Sequence, residues 1–237
     1  MLVDRGLAES RTRAQALVLS GIVFAGDRRL DKPGTSVAVD IELRVKGKDH
    51  PWVSRGGLKL AHALEAFDLS PKGAVCIDVG ASTGGFTHVL LENGAAKVYA
   101  VDVGHGQLAW SMRKDERVVV LERTNARHLT VEHIPEQADW VVCDASFIGL
   151  ATVLPTALAL TKPGAQLATL IKPQFEAGRE NVGKGGVVRD PNVHAAVCAR
   201  VKEWVEAQGW EVQGIATSPI TGPEGNVEFL LSAQRPL

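Results

Sequence analysis

From residue 74 onward the chain repeats a strand, a loop and a helix. Apolar runs of strand length lie at 74–79, 96–102, 117–121, 138–143, 166–171, 211–216 and 226–232. Helical spacing of apolar residues is found between them, at about 57–67, 85–92, 107–113, 149–160 and 191–208. Runs that are apolar throughout suit strands buried on both faces. Their alternation with helices predicts a Rossmann-like α/β fold, a mostly parallel sheet of about seven strands covered on both sides. Ligands of such sheets sit at the carboxyl ends of the strands, so chemistry is expected there.

The front of the chain follows another pattern. Ser10 is a good N-cap for a helix over about 11–20, which Gly21 stops. A short strand at 22–24 precedes a Gly26-Asp27 turn. Residues 31–34 mark another turn before an alternating stretch, Val37, Val39, Ile41, Leu43 and Val45. This predicts a small α+β domain. Residues 46–51 are polar and turn-rich. The expected division is a front domain at 1–48, a linker at 49–54 and a main domain at 55–237, which suits the length of 237 residues.

Charge sharpens this division. The net charge of −1 excludes a uniformly basic protein. Residues 1–52 nevertheless hold 9 Lys+Arg against 7 Asp+Glu, leaving 17 against 20 for the rest (26 − 9 and 27 − 7). The front domain is thus free to meet nucleic acid. Arg11 and Arg13 crowd the first turn of its helix, where cations oppose the helix dipole. An external phosphate would relieve that, although a solvated basic turn is the competing reading. Arg5 and a basic turn at Arg28-Arg29 join this set. The cysteines, Cys76, Cys143 and Cys198, are odd in number and widely spaced, with no CxxC. That argues against disulfides or a zinc site and suits a reducing cytoplasm, with Cys76 and Cys143 buried in strands. No apolar run approaches ~18 residues, so no membrane span is expected. The opening MLVDRGLAES has no apolar core of a signal peptide.

Two groups of residues carry candidate chemistry. The first is the loop after strand 74–79: Asp78, Gly80, Ser82, Thr83, Gly84, Gly85 and Phe86. Its glycines permit close backbone approach to a ligand. Asp102 ends the next strand, where nucleotide-binding units place a carboxylate for ribose hydroxyls. The dinucleotide fingerprint would need glycine where Ser82 stands, and there is no GK[ST]. An opening Asp78 suits a cationic amino-acid cofactor better than a pyrophosphate. S-adenosylmethionine therefore ranks ahead of NAD. Asn125 and Asp144 complete the residues assigned to the cofactor.

The second group is charged. Asp144 and Lys172 each follow an apolar strand, Glu228 lies inside the apolar 227–231 run, and Lys59 sits on the helix entering the main domain. Charges seldom occupy such settings without partners. Together the two lysines and two acids read as an ion-paired catalytic cluster. The histidines offer no ligand set for a metal, and none is expected.

The run VSRGGLKL at 53–60, the loop DVGASTGGFT at 78–87, DASF at 144–147, IKPQFEAGR at 171–179 and VGKGGVVRD at 182–190 together resemble the TlyA family. These are ribosomal RNA 2′-O-methyltransferases with an FtsJ-like catalytic domain. The resemblance covers nearly the whole chain. It implies a class I methyltransferase sheet and an S-four-type RNA-binding domain at 1–48. It also implies a Lys-Asp-Lys-Glu tetrad at Lys59, Asp144, Lys172 and Glu228, and a short interdomain linker matching His50-Pro51-Trp52-Val53. Arg55, Lys184 and Arg189 then join the arginines of the front domain as expected RNA contacts. Cytidines of one or both ribosomal subunits are the implied targets. Two departures stand out: family members usually carry several residues ahead of the point where this chain starts, and Pro51 stiffens the linker.

The expected reaction is methyl transfer to a ribose hydroxyl, with Lys172 as base. A lysine desolvated beside a second cation loses proton affinity. Lys59 and Glu228 would position Lys172 and the ribose, and Asp144 would orient Lys172 near the sulfonium. The competing classes are a non-enzymatic RNA-binding or ribosome-assembly factor, a hemolysin-like membrane-active protein, since members of the family have been labelled so, and an NAD-linked oxidoreductase. The intact tetrad, the lack of a span and Ser82 argue against them in turn.

Overall fold

Side chains along each central strand alternate between two faces, and the two faces carry separate cores. In the computed structural model, residues 1–5, 7–8, 11–46 and 50–237 are described, apart from the side chain of residue 13. Ser10 and its cap, the Arg13 side chain, and residues 47–49 of the linker region lie outside this set.

The chain divides into two units, Met1–Pro51 and Trp52–Leu237. In the first, helix α1 (Arg11–Leu19) is followed by strands β1 (Val23–Ala25), β2 (Arg28–Leu30) and β3 (Leu43–Val45). They form an antiparallel sheet in the order β2-β1-β3. Leu17 and Val18 of α1 pack with Val23, Ala25, Leu30 and Leu43 into a small core. Arg28 and Arg29 lie on β2, not in a turn; Gly26-Asp27 alone makes the hairpin connection, as a two-residue loop with positive φ at glycine does well. Only the end of the alternating stretch, Leu43–Val45, pairs as a strand.

The second unit begins with α2 (Gly56–Ala66), then β4 (Val75–Val79), α3 (Gly85–Glu92), β5 (Lys97–Val101), α4 (Trp110–Arg113), β6 (Val118–Leu121) and β7 (Ala138–Cys143). Helices α5 (Leu150–Val153) and α6 (Pro155–Ala159), strand β8 (Thr161–Ile171) and helices α7 (Pro173–Glu176) and α8 (Pro191–Ala207) follow, and β9 (Glu211–Thr217) and β10 (Phe229–Gln234) end it. The expected helix at 149–160 is two short ones. Pro155 has no N–H to give and starts its own turn at the first helical position.

The seven strands lie in the order β6-β5-β4-β7-β8-β10-β9. Strands β4 to β8 pair in parallel, and β10 inserts antiparallel between β8 and β9. On one face Ile77, Val79, Val101, Val141 and Leu167 pack with Leu154, Leu158, Val197, Val201 and Val205 from α5 to α8. On the other, Cys76, Val98, Ala100, Trp140 and Val142 meet Leu60, Leu64, Phe86 and Leu90 of α2 and α3. Burying each Val, Leu or Phe contributes about 1.5–3 kcal/mol, so the alternation is what holds the layers together. Helix α8 shows the local logic: Asp190 caps it by accepting from Asn192 N–H at 2.8 Å, Pro191 starts it, and Val197, Val201 and Val205 repeat every four residues.

Two consequences position the site. Chain order reverses at β4, whose neighbours are β5 and β7, and a crevice opens there at the carboxyl edge. And because β10 is antiparallel, it starts where β8 ends. Phe229 pairs with Ile171, so residue 228 arrives beside residue 172. Residues 226–228, expected inside the last strand, form the approach to it.

Candidate functional site

Loops after β4, β7 and β8, with the segment before β10, enclose a cavity of about 740 Å³ at this edge. Lys59, Asp144, Lys172 and Glu228 all line it. Lys59 is 7% exposed, Lys172 6% and Glu228 2%, so the charges must answer one another. They do so as two pairs. Lys59 Nζ donates to Glu228 Oε2 at 2.6 Å. Lys172 Nζ donates to the Asp144 carbonyl at 2.9 Å and to Ser146 Oγ at 2.8 Å. Asp144 Oδ1 also lies 2.6 Å from Lys172 Nζ, outside hydrogen-bonding angles, so that contact is coulombic. Lys59 Nζ is 3.8 Å from the same oxygen, which links the pairs. Asp144, with Ser146, orients Lys172; Glu228 instead holds Lys59.

A second cavity, of about 530 Å³, adjoins the first. The two share Gly80, Ser82, Asp144, Ser146 and Phe147. Asp102 and Asn125 line the second. Asp102 accepts from the N–H groups of Ser82 at 2.8 Å and Gly104 at 2.6 Å, which joins the glycine loop to the following strand end. Asn125 accepts from Arg127 N–H at 3.1 Å. Gly80 has φ +81, and a side chain there would come within 2.9 Å of Ala145 Cα. The loop can pass β7 this closely only with glycine. Ser82 keeps a left-handed φ of +47 without being glycine.

Thr83, Gly85 and Phe86 line the first cavity, whereas Gly84 packs on Leu108 and Met112 and lines neither. Asp78 is fully buried beneath the loop and also lines neither. Its Oδ2 accepts from Thr87 Oγ1 at 2.6 Å, while Oδ1 has no partner. Burial raises its pKa to about 7, assisted by the charges of Asp144 and Asp102 and opposed by the Thr87 hydrogen bond. Asp102 and Asp144 are the acidic side chains at the wall of the second cavity, and Asp78 lies beneath the glycine loop.

The residues assigned to RNA are scattered. Arg55 lines the first cavity and donates to the Thr221 carbonyl at 3.4 Å. Lys184 and Arg189 are exposed on the segment after α7. In the small unit Arg28 and Arg29 are exposed, and Arg11 lines a groove. Arg5 is different: its guanidinium donates to the carbonyls of Ile41, at 2.6 Å, and Val39, so it fastens the segment ahead of β3.

The sequence reading passed over several wall residues. Phe147 is 90% exposed with φ +65, and its ring lies 5.1 Å from that of Phe175. Two aromatic faces beside buried charges suit an unstacked base. A signal is present in DASF: a bulky apolar residue three positions after Asp144, in the polar turn beyond β7. Among the described residues no group of three His, Cys, Asp or Glu side chains could hold a metal, and no helix is long and apolar enough to cross a membrane.

Comparison with known proteins places these features. Residues 52–235 match the FtsJ-like methyltransferase family. The chain is 51% identical over 231 residues to the 16S/23S rRNA (cytidine-2′-O)-methyltransferase TlyA of Mycobacterium tuberculosis, covering 97% of this chain and 86% of that one. It is 38% identical over 181 residues to the 23S rRNA (cytidine-2′-O)-methyltransferase TlyA of Campylobacter jejuni, covering 75% and 69%. A solved hemolysin-named protein of Streptococcus thermophilus superposes with a TM-score of 0.80 at 42% identity, covering 99% of this chain and 86% of the other.

Proposed function

The chain belongs to the FtsJ-like methyltransferase family, and we propose that it transfers a methyl group from S-adenosylmethionine to a ribose 2′-hydroxyl of ribosomal RNA, at cytidine in one or both subunits. The observation that carries this reading is the buried arrangement of Lys59–Glu228 and Lys172–Asp144 beside a carboxylate-lined cavity. Asp102, Asn125 and the 80–86 loop would hold the cofactor. When bound, it supplies a methyl group already activated by a cationic sulfur.

The protein's part is alignment and the proton. The site would present a ribose hydroxyl to the methyl group that the cofactor would supply, and Lys172 Nζ would receive the hydroxyl proton. Asp144 and Ser146 aim that nitrogen, and the Lys59–Glu228 pair braces the cluster through Asp144. Orientation of this kind supplies effective molarities of up to ~10⁵–10⁸ M. Phe147 and Phe175 offer the base a stacking surface. The small unit, in this reading an S-four-type domain, adds affinity for RNA and no chemistry. The setting is the cytoplasm, where ribosomal subunits are.

Transfer of tritium from labelled cofactor to purified ribosomal subunits tests the whole reading. Labelled RNA with 2′-O-methylcytidine is expected; no label in RNA would leave a binding factor on a methyltransferase fold.

Two narrower outcomes follow. Asp102→Ala should weaken cofactor binding by roughly 1–3 kcal/mol, since a charged acceptor is lost and the Ser82 and Gly104 amides lose their partner. Calorimetry giving equal affinity would remove Asp102 from the site. Replacing Arg11, Arg28 and Arg29 by glutamine should flatten the salt dependence of RNA binding. Each phosphate contact contributes about 0.9 to the log–log slope on a duplex. Arg5→Gln should also lower the stability of the small unit, since Arg5 ties the Ile41 and Val39 carbonyls.

A further inference from the structure

Residues 102–108 supply Asp102, Gly104 and Gln107 to the second cavity. His105, Gly106 and Gln107 are exposed, and this stretch has no helix or strand of its own. Its polar groups converge on a carboxylate from outside it. Glu122 directly follows β6, lines neither cavity, and has a side chain only 10% exposed.

Two side chains meet that carboxylate, and the backbone N–H groups of Gly106 and Leu108 lie near enough to favour its charge. Arg113 donates to Oε1, and His105 Nδ1 lies 3.1 Å from Oε2. Arg113 also donates through Nε to the Leu108 carbonyl at 3.1 Å, so the cation and the carboxylate grip the same turn. The Gly106 N–H, followed by Arg113, holds the Glu122 carboxyl down to about 2, which keeps it ionised at every working pH.

From this anchor the segment reaches the glycine loop. Gln107 Oε1 accepts from Ser82 Oγ at 3.3 Å, and Ala109 N–H donates to the Thr83 carbonyl at 3.1 Å. Leu108 fills the space where a side chain at Gly84 would stand. Without Glu122, Arg113 and His105 lose their shared acceptor, and the turn that Arg113 holds through the Leu108 carbonyl, with Gln107 in it, loses its fixed form.

We propose that Glu122 is a positioning residue for the cofactor: it shapes residues 102–108 into the wall of the second cavity without touching the ligand. The inference rests on reading that cavity as the adenosine side of the site. It specifies a residue whose loss acts on cofactor binding and spares the chemical step.

The test is calorimetric titration of S-adenosylmethionine and S-adenosylhomocysteine into the full chain, with steady-state kinetics on ribosomal subunits. Glu122→Ala should weaken both ligands by on the order of tenfold or more, the scale of lost hydrogen bonds to a charge. Glu122→Gln, which keeps one acceptor oxygen, should fall between. The rate at saturating cofactor should stay within about threefold of wild type, a split between KM and kcat that general loss of structure would not give. In ligand-free protein the Gly106 and Leu108 amides should exchange faster with deuterium. Should Glu122→Ala not fold, Arg113→Gln keeps the backbone contacts and should give the smaller loss in the same direction. Unchanged affinity in folded variants, or a fall in kcat at unchanged affinity, overturns the proposal. A wild-type chain that binds neither ligand overturns the functional reading beneath it.

Discussion

Lys172→Ala should lose at least ~10²-fold in single-turnover rate while RNA and cofactor affinities stay within a few-fold, because handling the proton contributes ~10²–10⁴ to the chemical step. The geometry defines what the experiment distinguishes. Lys172 Nζ has Asp144 O, Asp144 Oδ1 and Ser146 Oγ within 2.9 Å. An ammonium there has two hydrogen-bond acceptors and the Asp144 charge beside it, and it must give up a proton before it can take the hydroxyl's. Lys172→Arg separates the two possible roles. Arginine keeps the positive charge beside Asp144 and stays protonated in proteins. If Lys172 is the base, the arginine variant is as inactive as the alanine one, and the wild-type rate rises with pH where chemistry limits. If the arginine variant is active, or the rate is flat with pH, alignment and electrostatics are the whole mechanism.

The largest effect on stability should come from Asp78. Its pKa is raised from an ordinary 3.8 to about 7, first by burial. The folded protein therefore binds this proton more tightly than the unfolded chain. The stabilisation is complete below pH 3.8 and is lost as pH rises to about 7. At about 1.4 kcal/mol per pH unit, that interval corresponds to roughly 4 kcal/mol. Urea unfolding of the ligand-free protein should show stability falling between pH 5 and pH 8 more steeply in wild type than in Asp78→Asn. Asparagine still accepts from Thr87 but cannot ionise. Parallel pH profiles for the two proteins would mean that Asp78 is not protonated in the folded state.

The buried charge cluster was legible because two lysines and two acids set at or inside apolar runs of one domain must find partners. Asp144 and Lys172 stood out on those grounds, and Lys59 and Glu228 joined them. The pairing was not legible. It depends on β10 running antiparallel to β8, which sets Glu228 beside the end of β8, and on α2 bringing Lys59 to within 2.6 Å of it. Arg5 has a role that its charge did not suggest. Its charge suggested RNA, yet it holds the backbone of Val39 and Ile41, a use that no local pattern announces. Glu122 escaped notice because an acid after a strand is ordinary; only the fold brings Gly106, Leu108, Arg113 and His105 to it.

By itself the amino-acid sequence determined the layers, most strand positions and the glycine loop, since hydrophobic period, caps and turns are properties of neighbouring residues. It also singled out Lys172 and Glu228 as buried charges, because an apolar run leaves them nowhere else to go. Strand order, the direction of β10 and the partner of each buried charge were decided by tertiary structure alone. Those depend on contacts between residues as far apart as Lys59 and Glu228, 169 positions along the chain, and no local pattern encodes them.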